Sequence, residues 1–281
     1  MLRAGSASGN GTPREGRSPW WFARPLAREA LLITLAILAY FGIRNATVGH
    51  ADAAFDNAER IVDLQERVGI DWEDELQGLV IDSDLLVDVM NWVYIWGHWP
   101  VILSAAVVLF FLRRDRYVLL RNALFVSGGI GFLFFALFPV APPRLLDLGL
   151  VDTVTERSYA YRALQPPGLT NQYAAFPSLH AGWNLLVGIV LVLAFTRLGV
   201  RAFAIAMPAA MALAVVMTAN HFVIDVFAGV VVILIGLGAA FALQLRRPAV
   251  STLTENGVSG DGRTDHRPAE YTTARGRSPR G

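Results

Sequence analysis

The chain reads as an all-α, polytopic integral membrane protein with six transmembrane helices and an amphipathic helix segment on the outer face. Three observations predict this. Of the 281 residues, 54% are apolar or aromatic and only 17% are charged, with a mean hydropathy of +0.44, whereas soluble chains carry nearer a quarter charged residues. The apolar residues gather into runs close to the ~20 residues that cross a hydrocarbon core at ~1.5 Å rise each. Arginines collect between those runs so that, with six spans, every arginine-rich segment falls on one side.

Residues 1–25 hold Gly, Ser, Pro and Arg without apolar period and predict a disordered cytoplasmic tail. Leu26 to Ile43 is the first span. No small-residue cleavage site follows it cleanly and five further spans come later, which argues against a signal peptide. From Asn45 to Asp88 the chain is acidic, with twelve Asp and Glu against Arg60 and Arg67. Phe55, Ala58, Ile61, Val62, Gln65 and Val68 keep helical spacing, Gly69 ends that helix, and a second short helix starts near Trp72. This stretch is either a solvated acidic connector or a lid over a site.

The second span runs from Val87 to Leu112 and contains His98. Arg113, Arg114, Arg116 and Arg121 form the next turn, and the third span covers Leu119 to Phe138. A loop follows with Pro142, Pro143, Arg144, Arg157 and Arg162. Span four is Ser178 to Phe195, span five Ala202 to Met217 and span six Phe222 to Leu245. Together 26–248 make one six-helix membrane domain, and 249–281 reads as a disordered cytoplasmic tail. Positive residues mark the cytoplasmic side. The acidic segment, Arg144, His180 and His221 therefore face outward, both tails face the cytoplasm, and the location expected is a plasma membrane. The 24 basic residues are all arginine, a composition that suggests a GC-rich bacterial genome.

Composition also excludes chemistry. Without cysteine there is no disulfide, thiolate nucleophile or cysteine-ligated metal. Without lysine there is no Schiff base. A net charge of +1 and the lack of a basic stripe predict no nucleic-acid partner.

The chemistry concentrates between Ala174 and Gly229. His180 opens span four and His221 precedes span six, so a segment that crosses, turns at Arg197 to Arg201 and returns brings both imidazoles to one membrane face. Asp225 follows His221 at i,i+4 and shares its helix face. Each could be structural alone, an interfacial histidine or a paired carboxylate, but ionisable groups gathered in membrane helices point to function. In the functional reading His221 is a nucleophile that forms a phospho-histidine, and Asp225 holds its tautomer. His180 protonates the leaving oxygen and then serves as base towards the acceptor. Arg144 clamps phosphate oxygens, or else anchors a headgroup. Ser178 either seats phosphate at a helix N-terminus or only caps that helix. His98 either orients the site from behind or bonds a neighbouring helix.

The segments FPSLHAG and NHFVID, with six spans and the Pro-Pro-Arg loop, resemble the type 2 phosphatidic acid phosphatase superfamily of membrane phosphoesterases over Tyr94 to Gly229. YIWGHWP and APPRLL are most similar to its inositolphosphotransferase branch, whose fungal members make inositol phosphorylceramide. The likeness implies the same roles for His221, Asp225 and His180, a lipid phosphate substrate, membrane lipids as surroundings, and neither metal nor cofactor. The superfamily carries a lysine seven residues before an Arg-Pro pair, where this chain has Leu137 and a Leu145 after Arg144. It also carries an arginine six residues before the nucleophilic histidine, where this chain has Val215. Two fewer cations disfavour a dianionic phosphomonoester and favour a phosphodiester or transfer to an alcohol. The rivals are a lipid or polyprenyl-phosphate transporter using the same residues, although no broken-helix pair stands out, and a zinc hydrolase on His98, His180, His221 and Asp225. Donor, acceptor and oligomeric state stay open.

Overall fold

The computed structural model describes residues 20–47, 50–157 and 171–246. Residues 1–19 of the N-terminal tail, the whole C-terminal tail and Arg162 lie outside them. The described residues are almost entirely helical, with no strand among them. In chain order the helices are α1 (Trp20–Thr47), α2 (Ala51–Val68), α3 (Glu73–Gly78), α4 (Asp84–Trp96), α5 (Trp99–Leu112), α6 (Arg114–Leu137), α7 (Thr153–Arg157), α8 (Leu179–Ala194), α9 (Leu198–Met217) and α10 (Val223–Leu245). All lie within one compact unit, Met1–Leu245. Helix α1 begins at Trp20 rather than after residue 25 and runs through Pro25.

The protein is an integral membrane protein by its helices. Leu26–Ile43, α6, α9 and α10 are each long and apolar enough to cross a bilayer, and α4 with α5 makes a fifth span if the pair is counted together. The expected continuous span from Val87 to Leu112 is in fact bent by 47° between these two helices. Pro100 explains the break, since it lacks an N–H and its ring crowds the carbonyl of Trp96 four residues earlier. Gly97 lies in the same break, where a Cβ would collide with the Val93 carbonyl and the Met207 side chain. The remaining expected span, α8, has 16 residues, or about 24 Å of helix, short of a ~30 Å core. The expected count of six is thus four long helices, one bent pair and one short helix.

Helix α8 is central, packing on α5, α6, α9 and α10, while α6 and α10 make the most extensive helix pair. Helices α9 and α10 lean on α8 rather than on each other, leaving an apolar groove of about 540 Å³ whose floor is one face of α8. At the C-terminal end of α8 the basic turns meet. The Arg113 Nε donates to the Ala194 carbonyl and the Arg201 Nε to the Phe195 carbonyl. The expected arginine turn is shorter than its sequence suggests, because Arg114 already begins α6. Arg121 lies inside α6 and pairs with Glu29 of α1, which also accepts from the Tyr117 hydroxyl.

The acidic stretch is not a solvated connector. Helix α2 buries Ala54, Asn57, Ala58, Ile61 and Gln65 against Val140, Ala141, Ala175 and Phe222. Gly69 ends it in the left-handed conformation, φ 71°, as its position predicts. Val68, expected on the packed face, is exposed instead. Hydrogen bonds from the Asn57 amide to the Pro139 carbonyl and from the Ala141 N–H to the Ala54 carbonyl tie α2 to the loop before Arg144. That loop is joined in turn to the approach to α8 by a single parallel bridge, Val140 to Ala174.

Candidate active site

His221 sits in the turn between α9 and α10. That turn reverses sharply because Ala219 adopts φ 55°, uncommon for a residue with a Cβ. The N–H groups of Asn220 and His221 both donate to the Val215 carbonyl. His221 Nδ1 is 2.7 Å from the Ala175 carbonyl oxygen. A carbonyl can only accept, so Nδ1 carries the proton and Nε2 keeps its lone pair. Asp225 Oδ2 lies 3.4 Å from the same Nδ1 and accepts the Phe222 N–H at 2.8 Å. The other oxygen, Oδ1, is buried without a hydrogen-bond partner among the described residues. Burial pushes the His221 imidazole down to about 4; the Ala175 bond opposes that shift, and the Arg144 guanidinium adds to it. At neutral pH the ring is therefore uncharged.

Helix α8 brings His180 to His221 through backbone contact. A Cβ on Gly229 would collide with the Ser178 carbonyl, and one on Gly182 would come within 2.9 Å of the Gly229 carbonyl. Glycine at both positions lets α8 and α10 touch, and the Ser178 N–H donates to the Asp225 carbonyl at 2.9 Å. The His180 and His221 ring centroids then stand 5.8 Å apart. The two rings are thus neighbours, tilted by 52° to one another.

Ser178 caps α8, its hydroxyl accepting from the Ala181 N–H, and it is fully buried. Its own N–H donates to the Asp225 carbonyl. The first-turn N–H groups of Leu179 and His180 have no partner among the described residues and are the donors left at this helix end.

Arg144 is close enough to influence His221. Its backbone N–H donates to the Ala219 carbonyl, its Nη1 to Asn220 Oδ1 at 2.6 Å, and its Nε is 3.3 Å from Asp152. Arg157 pairs instead with Asp84. His98, in the break between α4 and α5, is buried and its ring lies 4.1 Å from that of His180. Tyr94 stacks on the His180 ring at 4.9 Å, and the Asn184 amide lies 3.3 Å from His98 Nδ1. Among the described residues no group of three or more His, Cys, Asp or Glu side chains is arranged to hold a metal ion.

Sequence reasoning missed Ala175, Asn220, Tyr94 and Asn184. Ala175 acts through its backbone, which no side-chain pattern marks. Asn220 and Asn184 each lie within four residues of His221 or His180, a proximity that is a usable signal.

These elements make an all-helical membrane protein in which two imidazoles, His180 and His221, lie side by side. The family model of the PAP2 superfamily matches residues 59–239, well over half of the chain, and the chain belongs to that superfamily. It is a phosphatase-type membrane enzyme. No curated protein and no solved structure matches it.

Proposed function

We propose that the protein cleaves a lipid phosphoester through a covalent phospho-histidine at the outer membrane face, without a metal. The observation that carries this reading is the pairing of His180 and His221 across 5.8 Å, with Nδ1 of His221 committed to a carbonyl. His221 Nε2 attacks phosphorus, the N–P bond forms, and the bond to the ester oxygen breaks. His180 donates the proton which that oxygen needs. An alcohol or water then attacks the phospho-histidine, loses its proton to His180 and regenerates both rings. Asp225 offsets the positive charge that develops on His221.

An alcohol acceptor, as in an inositolphosphotransferase, and a phosphodiester donor suit the cation set. Val215 is buried among apolar side chains and Leu137 is 74% exposed on α6, so neither supplies charge, and Arg144 carries the clamp. The outward orientation draws support from the arginine turns, which lie at the opposite end of α8 from His180. The test incubates purified protein in detergent micelles with labelled lipid phosphomonoester and phosphodiester, with and without alcohol acceptors, in the native protein and in His221→Ala. Full turnover by His221→Ala would reject the reading.

One observation favours the transporter alternative. The bent pair α4–α5 is a broken helix next to His98, and broken helices line transporter sites. Chemical turnover in micelles, where no transport can be scored, separates the two.

A further inference from the structure

The three backbone N–H groups that follow His221 are each taken by a side chain. Phe222 donates to Asp225 Oδ2 at 2.8 Å, Val223 to Glu73 Oε1 at 2.7 Å and Ile224 to Gln65 Oε1 at 2.8 Å. Gln65 also donates its Nε2 to Glu73 Oε1 at 2.9 Å, so the two acceptors brace one another. On the other flank of the turn, Gln77 Nε2 donates to the carbonyl of Met217, the last residue of α9, at 3.0 Å. The same amide group spans to Val151, accepting its N–H at 2.7 Å and donating to its carbonyl. Gln65, Glu73 and Gln77 are all buried, and they come from α2 and α3, far from the turn in sequence.

We propose that Gln65, Glu73 and Gln77 are positioning residues that hold the 218–222 turn from both flanks and so fix His221 for attack, an inference that rests on the function proposed above. The physical case starts from α10. A helix start leaves its first N–H groups unpaired, and a Ser, Thr, Asp or Asn just before the helix usually satisfies one of them. Here His221 and Phe222 occupy those places and neither can cap. A distant carboxylate and a distant amide do so instead, and the carboxylate also meets the positive end of the helix dipole. None of the three side chains needs to touch substrate. The 2.7 Å bond from His221 to Ala175 exists only while the turn stays where these groups pin it. Because α2 also bonds Pro139 and Ala141, the same pair of helices sets the loop bearing Arg144 against the turn bearing His221.

The experiment uses the full chain in detergent micelles and the variants Glu73→Ala, Glu73→Gln and Gln77→Leu. Two readouts are taken: steady-state kinetics on the best labelled phosphoester, and amide hydrogen exchange of 222–224 by mass spectrometry. Glu73→Ala should lower kcat by about tenfold or more, the scale on which small misplacements act, with KM little changed, and should speed exchange at 222–224 while α6 stays protected. Glu73→Gln keeps an acceptor oxygen and should recover most of both. Gln77→Leu should lower kcat in the same way, which guards against a variant that simply fails to fold. Native kcat and native exchange in Glu73→Ala would overturn the proposal, as would a Glu73→Gln variant no better than Glu73→Ala. If the native protein turns over no phosphoester while Glu73→Ala still loosens 222–224, the clamp stands and the reaction assigned to His221 falls.

Discussion

His221 meets the Ala175 carbonyl at 2.7 Å but Asp225 at 3.4 Å, so tautomer control rests mainly on a backbone group. Asp225→Asn should therefore leave measurable turnover, cut by roughly 10–100-fold through loss of charge stabilisation, whereas His221→Ala should leave none; single-turnover rates separate the two. The pH dependence follows from the lowered affinity of His221 for a proton. An unfolded imidazole is protonated below its ordinary 6.5, the folded one only below about 4. Between those values the unfolded chain binds more protons, so this contribution to stability is complete above 6.5 and fades as pH falls towards 4. Phosphoenzyme formation should likewise persist until about pH 4, and Arg144→Gln should move that acid limb upward; rapid-quench trapping across pH measures both. Ala219→Gly relieves a positive φ and should raise stability by up to about 1 kcal/mol, read as a higher unfolding midpoint. At this scale the juxtaposition of His180, His221 and Asp225 was legible because they stand in two compact motifs. Glu73 was not, since nothing in sequence separates one buried acid from eleven neighbours on the surface.

The element that decides the site is the contact between α8 and α10. Gly182 and Gly229 sit in the same motifs as the histidines, yet their function is to let two helices touch. Gly229→Ala pushes Cβ onto the Ser178 carbonyl and should cost about 1–3 kcal/mol by overpacking, along with most activity as His180 withdraws from His221. Thermal unfolding in detergent and turnover together test this. The hairpin of α8 and α9, which returns His221 to the face of His180, follows from span lengths alone. The break between α4 and α5 did not emerge from the same reasoning, because apolar length averages over Pro100. The short α8 was also overestimated, since Ser178 and Phe195 are its cap residues rather than part of the crossing.

Across the molecule, α1 presents most of its apolar surface outward and is held to α6 by Glu29, Arg121 and Tyr117. Glu29→Leu strands a buried guanidinium and should destabilise by about 3–5 kcal/mol, while Glu29→Leu with Arg121→Leu should recover much of that; unfolding midpoints of the single and double variants decide. Sequence placed Arg121 in a basic turn because its partner lies 92 residues away. The groove along α8 has a further consequence. Ala181 and Val226, which directly follow His180 and Asp225, line one end, and Leu193 and Ile205 line the other. Twelve residues of helix separate Ala181 from Leu193, about 18 Å. Under the function proposed above, a trough of that length starting beside His180 would act as a ruler for hydrocarbon tails. Turnover should climb with tail length until the trough is full and then level off. Ala209→Trp, which blocks it partway, should shift that plateau to shorter tails, and an unchanged length profile would show that the tail lies elsewhere.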